Sequence, residues 1–487
     1  MTNGRAEFGI IMKSKKKGCL KMSIGRREFL KGASVMAFSG VSSGCIADRL
    51  MPKAPDLRFG AISDVHLKIP GDEKELIKAF TYFNSMRVDA VMISGDIADT
   101  GLISELRRLA EAWEKVFPGN KGADGRHVEK LFIYGNHDFW GSYNLIKNKD
   151  PRAEKDAISY TESRPAEVWE EIFKEPYSDF WIKDVKGYTF IGGHWTKSDQ
   201  FGGLADFLKL HKDRIDPSKP FFYTQHSHPK DTCMGPWAWG RDNGASTEAL
   251  SKYPNAVAIS GHSHYSLTDE RSVWQGAFTS INASSLRYIS TLYALRENAQ
   301  VNTHGFCGDK RKRLTERIRA YDSAHGMLVS VYGNELVIER RDFYNDEKLA
   351  QNWVITVPPE KDQSFEARAK RSKPPQFAAG AQVKIERLGK DKIQIEFPSA
   401  CSVGSRRVFE YELTAILVED DVDLVQLQRR IIAKNFHKKE KTFTKDSSCV
   451  ISLSEIPIKG NMVFSVRPVD CFGNKGSPIF SRIKLDS

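Results

Sequence analysis

No stretch of this 487-residue chain reaches 18 uninterrupted apolar residues, so it is not a multi-span membrane protein. Cysteine is scarce: Cys19, Cys45, Cys233, Cys307, Cys401, Cys449 and Cys471, with no Cys-x-x-Cys pair. Two lie near the front, and the odd number left over indicates neither a zinc ribbon nor a disulfide framework. One bridge, Cys401–Cys449, stays open. Low-complexity tracts are missing, and the apolar (40%) and charged (28%) fractions are ordinary, which excludes a collagenous or wholly disordered polymer. A strong basic field on the folded part is lacking too. The formal charge is +11, but residues 1–47 hold nine Lys/Arg against Glu7 and Glu28, so +7 sits there and +4 on the rest. Nucleic-acid binding is not expected from so weak a field.

What the front does hold is a pattern. Gly25-Arg26-Arg27-Glu28-Phe29-Leu30-Lys31 precedes a weakly apolar stretch that runs to Cys45. This resembles a twin-arginine export signal, which implies the export machinery as a partner and a periplasmic or cell-surface location in a bacterium. Met22 stands just ahead of the arginine pair, and translation is expected to begin there. Ser42-Ser43-Gly44-Cys45 resembles a bacterial lipobox with Ser42 where Leu is usual. Lipidation of Cys45, with membrane attachment, and simple cleavage nearby both stay open.

From Leu57 the chain repeats one phrase, a short apolar run broken off by a polar residue. Leu57–Ile62 runs into Ser63-Asp64-Val65-His66, Ala90–Ile93 into Ser94-Gly95-Asp96, and Leu131–Tyr134 into Gly135-Asn136-His137-Asp138. Tyr188–Ile191 ends at Gly192-Gly193-His194, Phe221–Thr224 at Gln225-His226, and Ala256–Ile259 at Ser260-Gly261-His262-Ser263-His264. Glu73–Asn84 and Leu102–Val116 carry apolar residues at helical spacing. Buried strands alternating with helices predict an α/β class: a layered β-sandwich core flanked by helices. Ligands gather beyond the carboxyl ends of such strands, where these polar residues fall.

Residues 285–322 interrupt the rhythm with Lys310-Arg311-Lys312-Arg313, read as a solvated insertion or a cap facing substrate. Gly326–Tyr332 and Glu335–Glu339 predict a hairpin around Gly333-Asn334, and Trp353–Val357 a further strand. A polar, proline-containing linker is expected over 359–377, closing a first domain over 55–358. Beyond it, Val383–Arg387, Lys392–Phe397, Val408–Leu413 and Val463–Pro468 alternate at period two. That predicts a second, smaller all-β sandwich over 378–487, and Val463–Asn474 with Ser477-Pro478 resembles a fibronectin type III module.

The five blocks Asp64-x-His66, Gly95-Asp96, Gly135-Asn136-His137-Asp138, His226 and Gly261-His262-Ser263-His264, in this order, resemble the calcineurin-like metallophosphoesterase family. The resemblance implies metal-dependent hydrolysis of a phosphate ester, small or polymeric, by a hydroxide bridging two divalent ions. It places Asp64, His66, Asp96 and His264 on one ion and Asp96, Asn136, His226 and His262 on the other, with Asp96 shared. It gives His137 to the leaving oxygen and Asp138 to the orientation of the His137 ring. Carboxylate and imidazole donors without thiolate suit Mn, Fe, Zn or Ni. In extended backbone, residues i and i+2 point the same way, so Asp64 and His66, and His262 and His264, are expected to converge. His228 offers a second imidazole beside His226, as support or substrate contact, while His194 reads as structural. Asp99 stands where purple acid phosphatases carry tyrosine, which argues against a tyrosinate-bound ion.

Aromatics near the blocks (Phe139, Trp140, Trp195, Trp237, Trp239) fit packing or stacking on a substrate ring. Three functions stay open: an exported phosphoesterase for an organic phosphate, a phosphodiesterase for nucleotides, glycerophosphodiesters or envelope polymers, and a binding protein with a vestigial metal site.

Overall fold

The computed structural model describes residues 54–196, 201–233, 242–291, 318–360, 364–401, 407–419, 422–438 and 444–486. The leader with Cys45, the Lys310–Arg313 run, Cys307, Trp237 and Trp239 lie outside them.

Strands β1 (Leu57–Ile62), β2 (Ala90–Ser94) and β3 (Glu129–Ile133) run parallel, with α1 (Lys74–Ser85) and α2 (Ile103–Val116) between them. Past α3 (Asn136–Lys147), α4 (Ala153–Asp156) and α5 (Arg164–Phe173), β4 (Phe180–Val185) and β5 (Tyr188–Gly193) open a second sheet. It continues with β6 (Phe221–Thr224), β7 (Ala256–Ser260), β8 (Val273–Gln275) and β9 (Thr279–Asn282), taking in α6 (Leu204–Leu210) and α7 (Ala245–Leu250). A small pair, β10 (Ile289–Thr291) with β11 (Ile318–Ala320), follows. The chain then returns to the first sheet as β12 (His325–Tyr332), β13 (Glu335–Asp342), β14 (Glu347–Lys348) and β15 (Trp353–Thr356). The first sheet is ordered β14-β13-β12-β1-β2-β3, with β15 on β13, and the second β4-β5-β6-β7-β9-β8.

The two sheets face each other, and period-two alternation sorts their side chains. Phe59, Ala61, Ala90, Met92 and Leu131 point inward against Phe190, Phe222, Val257, Ile259 and Ile281. The opposite residues of the first sheet, Ile62, Val91, Ile93 and Phe132, meet Phe80, Phe83, Leu106, Leu109 and Trp113 of α1 and α2. Ile191, Tyr223 and Ala258 of the second sheet pack on Leu204, Leu208 and Leu250. The result is helix, sheet, sheet, helix, with strands buried on both faces.

The C-terminal strands are β16 (Lys384–Leu388), β17 (Lys392–Pro398), β18 (Val408–Glu419), β19 (Val422–Ile432), β20 (Asp446–Ser452), β21 (Asn461–Asp470) and β22 (Ile479–Lys484). They form two sheets, β16-β17-β20 and β19-β18-β21-β22, around Ile393, Ile395, Phe397, Leu413, Ala415, Phe464 and Val466. The bridge left open in the sequence does not form: no disulfide joins Cys401 to Cys449. Their backbones are engaged apart, Cys401 with Gln376 and Cys449 with Ile395 of β17.

The stretch between the domains is held in place. It contains α8 (Phe365–Lys370), capped by Ser364, whose hydroxyl accepts from Ala367 N. The Arg368 guanidinium donates to the carbonyls of Glu270 and Val273, and Ser372 donates to Asp470 at 2.7 Å. The sandwich also grips the segment after β7 directly. Thr268 Oγ1 donates to the Phe436 carbonyl at 2.7 Å, and the Arg271 guanidinium lies 4.2 Å over the Phe409 ring.

Candidate metal centre

The loops leaving β1, β2, β3, β6 and β7 meet at one end of the paired sheets. Asp64 N donates to the Gly95 carbonyl and His66 N to the Asp96 carbonyl, both at 3.0 Å, stitching the first loop to the second. Gly261 N donates to the His226 carbonyl at 2.9 Å, and His262 N to Asp64 Oδ2 at 2.8 Å. Glycine is required at two crossings for space. A Cβ on Gly261 would lie 1.8 Å from Ser63 Oγ, and one on Gly135 would lie 2.3 Å from Asp96 N.

The convergence of i and i+2 does not come from extended backbone. Asp64, His66, Asp96, His262 and His264 all adopt left-handed φ, between 47° and 68°. Such values are uncommon outside glycine and cost of order 1–3 kcal/mol each. The strand has already ended, and the kinked backbone turns both side chains of each pair inward.

Two clusters result. In the first, Asp64 Oδ1 lies 2.9 Å from His264 Nε2, and His66 Nε2 lies 3.2 Å from His264 Nε2. In the second, His226 Nε2 lies 3.1 Å from Asp96 Oδ2 and 3.2 Å from His262 Nδ1. Asp96 joins them, because its Oδ2 is also 3.7 Å from His66 Nε2, while Oδ1 accepts His137 N at 2.7 Å. Asn136 opens α3, and its buried Oδ1 accepts no hydrogen bond.

The donor set suits a divalent ion. Asp64 Oδ1 is buried without a hydrogen bond, and ring nitrogens meet nitrogen to nitrogen at 3.2 Å in both clusters. Ligands about 2.0–2.1 Å from a tetrahedral ion stand about 3.3 Å apart, so these spacings fit. The far side of each ring is anchored. His226 Nδ1 donates to the Ser94 carbonyl at 2.8 Å and His264 Nδ1 to the Tyr288 carbonyl at 3.2 Å, leaving both Nε2 atoms for an ion.

Residues 57–266 match the family model described as calcineurin-like phosphoesterase. This part of the chain is a calcineurin-like metallophosphoesterase domain. The protein therefore carries the catalytic domain of a metal-dependent phosphoric ester hydrolase. No curated protein matches the chain. Among solved structures, it resembles a dimetal phosphatase from Danio rerio at 14% identity, over 62% of this chain and 99% of that one, with a TM-score of 0.34. It also resembles an inner-membrane-complex anchor of Plasmodium (12%, 63% and 89%, TM-score 0.36). A predicted phosphoesterase from Streptococcus pneumoniae gives 14%, 62% and 97%, with a TM-score of 0.25.

Two neighbours of the phosphoesterase centre, Asp138 and Asp99, hold positions that the sequence did not convey. Asp138 does not orient His137. Its carboxylate accepts the amides of Gly135 (2.6 Å) and Ala98 (2.7 Å), capping α3 and tying it to the β2 loop. The ring of His137 is fixed instead by Asp99, whose carbonyl accepts Nδ1 at 2.9 Å. The Asp99 carboxylate stands 3.2 Å from His66 Nδ1 and 2.9 Å from Lys68 Nζ, so a residue noted only for not being tyrosine backs a metal-facing histidine. His228 faces away from the clusters, with Nε2 3.0 Å from Ser263 Oγ and Nδ1 3.3 Å from Cys233 Sγ. His194 is buried beside Trp169, Tyr177 and Tyr134.

Electrostatics sharpen the demand for an ion. Burial opposes the charged form of His66, but Asp64, Asp99 and Asp96 outweigh it and raise its pKa to about 10. Burial likewise opposes, and Asp96 overrides, at His226, raised to about 9. Burial, with His226 nearby, pushes His262 down to about 3. Burial also opposes ionisation of Asp64 and Asp96, yet the surrounding imidazoles hold both well below the usual carboxylate range. The carboxylates thus stay charged, and His66 and His226 would have to give up a proton to hold an ion.

Proposed function

We propose that the protein is an exported phosphoesterase that hydrolyses an organic phosphate ester at a centre of two divalent transition ions. The observation that carries this reading is the pair of clusters joined through one oxygen of Asp96, 3.1 Å from His226 Nε2 and 3.7 Å from His66 Nε2. Asp64, His66, Asp96 and His264 would hold one ion, and Asp96, Asn136, His226 and His262 the other. Ions bound there supply an activated water and neutralise the phosphate oxygens. The chain's own residues do the rest. His137 N fixes the shared carboxylate, and the His137 ring, held at Nδ1 by the Asp99 carbonyl, turns Nε2 to the leaving oxygen as proton donor. Buried Trp195, with ring centroids 6.1 Å from His226 and 6.3 Å from His262, screens that side from water.

Export rests on the twin-arginine-like leader, whose pathway carries proteins already folded and loaded, and attachment to the membrane would follow from lipidation of Cys45. The strand orders of the C-terminal domain, first-second-fifth and fourth-third-sixth-seventh, support its fibronectin type III likeness. Metal analysis of cytoplasm-folded protein, followed by bis-aryl and mono-aryl phosphates with and without chelator, tests the proposal and sorts diesterase from monoesterase. Asp96→Asn and His262→Ala are each expected to abolish turnover. Absence of metal-dependent hydrolysis of every ester would leave a binding protein instead.

A further inference from the structure

The aromatic residues beside the two clusters differ in one respect. Trp195, on the His226–His262 side, is 6% exposed and offers no face to a ligand. On the other side, Tyr288 lies with its ring centroid 4.2 Å from that of His264, at an interplanar angle of 39°. Tyr321 follows, 5.3 Å from Tyr288 at 40°, and is 59% exposed. Three rings thus step outward from a metal-facing histidine to solvent, at similar tilts. The step is built on rigid backbone. The Tyr288 carbonyl accepts His264 Nδ1, Ser290 N donates to the His264 carbonyl at 2.8 Å, and Tyr288 N donates to Ser285 Oγ at 3.3 Å. Tyr288 and Tyr321 flank the β10–β11 pairing at Ile289 and Ala320, which sets one ring beside the other. An open, preorganised π-face next to a phosphate centre binds a flat ring at small entropic cost.

Resting on the phosphoesterase reading, we infer that Tyr288 and Tyr321 form a stacking shelf for a planar aromatic group carried by the substrate, the class of a nucleobase-bearing phosphate. Such a shelf tolerates different bases, because each has a π-face, and it leaves phosphate binding to the metal centre.

The test measures inhibition of aryl phosphate hydrolysis by adenosine 5′-monophosphate and by ribose 5-phosphate, which share sugar and phosphate and differ only in the base. The wild type is expected to bind the nucleotide between about 5- and 150-fold more tightly, the range that base–aromatic stacking gives. Tyr321→Ala should bring the ratio close to one while leaving metal content and ribose 5-phosphate inhibition unchanged, and Tyr321→Trp should restore it. Equal inhibition by both compounds in the wild type, or a ratio that survives Tyr321→Ala, overturns the shelf. Saturation-transfer NMR of adenosine alone reads the shelf without turnover. If no ester is hydrolysed, the proposed activity fails, yet transfer lost in Tyr321→Ala still supports the shelf, and no transfer in the wild type refutes it.

Discussion

Replacing Gly135 by Ala adds a single methyl group where the β3 loop crosses the β2 loop. The backbone there has φ −111°, which any residue adopts, so only space is at issue. The new Cβ would lie 2.3 Å from both Asp96 N and Asp96 Oδ1, and 2.9 Å from His226 Nδ1. Ordinary contact begins near 3.4 Å, so the loop bearing Asp96 or the start of α3 must move by about 1.1 Å. Overpacking of this kind costs about 1–3 kcal/mol of stability. The functional cost is larger. Metal ligands tolerate roughly ±0.2 Å, and a misplacement of about 1 Å at a reacting centre costs on the order of 100-fold in rate. The expected result is a folded protein by circular dichroism that loses metal on gel filtration and turns over aryl phosphates at least ~100-fold more slowly. Gly122→Ala, where the nearest atom is Asn84 Oδ1 at 3.2 Å, serves as control. A Gly135→Ala protein with full metal content and turnover within threefold of wild type would refute the claim that these two loops are pressed together to form the centre.

Asp99→Asn removes the charge 3.2 Å from His66 Nδ1. Metal affinity should fall by about 10–100-fold in a competitive chelator titration, with secondary structure intact. Arg340→Met takes from buried Glu270 its nearest charge partner, since the guanidinium now lies 3.0 Å from Glu270 Oε1, donates to the Leu267 carbonyl at 2.9 Å and stacks over Trp353. It leaves Glu270 with Trp353 Nε1 at 2.9 Å and Arg368 at 3.8 Å. A loss of about 3–5 kcal/mol in denaturant unfolding is expected, and an Arg340→Met/Glu270→Leu pair should recover much of it. His194 supplies a pH signature. Burial, with Lys183 nearby, lowers its pKa to about 3, so between pH 6.5 and that value the unfolded chain takes up a proton that the folded one refuses. Stability therefore falls as the pH falls. Between pH 6.5 and 5 the wild type should lose up to about 2 kcal/mol more than His194→Asn, whose side-chain oxygen can still accept from Tyr134 N, the donor to His194 Nδ1 at 3.1 Å. Identical pH dependence in the two proteins would contradict this.

The strands that carry the centre were legible because they are short, mostly apolar and followed by glycine or a polar residue: β1 and β6 begin and end where the apolar runs do. The two large helices announced themselves by period, α1 and α2 falling within a residue of the expected spans. Edge strands were harder. β4 and β8 carry polar residues on their open sides, and β22 alternates around Arg482 and Lys484, so hydrophobic pattern alone does not single them out. Within the centre, residue types and order pointed to the chemistry, but the backbone did not follow from them. A left-handed φ at aspartate or histidine has no propensity signal, since neighbouring loops impose it. The same holds for Asp138 and Asp99. Only the packed structure decides which of two nearby carboxylates caps a helix and which steadies a ring.

The clasp of Phe436 and Phe409 on Thr268 and Arg271 falls four to seven residues beyond His264. The tail is therefore not a detachable accessory. Its loss would uncover the very strap that holds one histidine in register, so tail and catalyst are expected to be inherited together, and proteolytic nicking of the tail would silence hydrolysis from a distance.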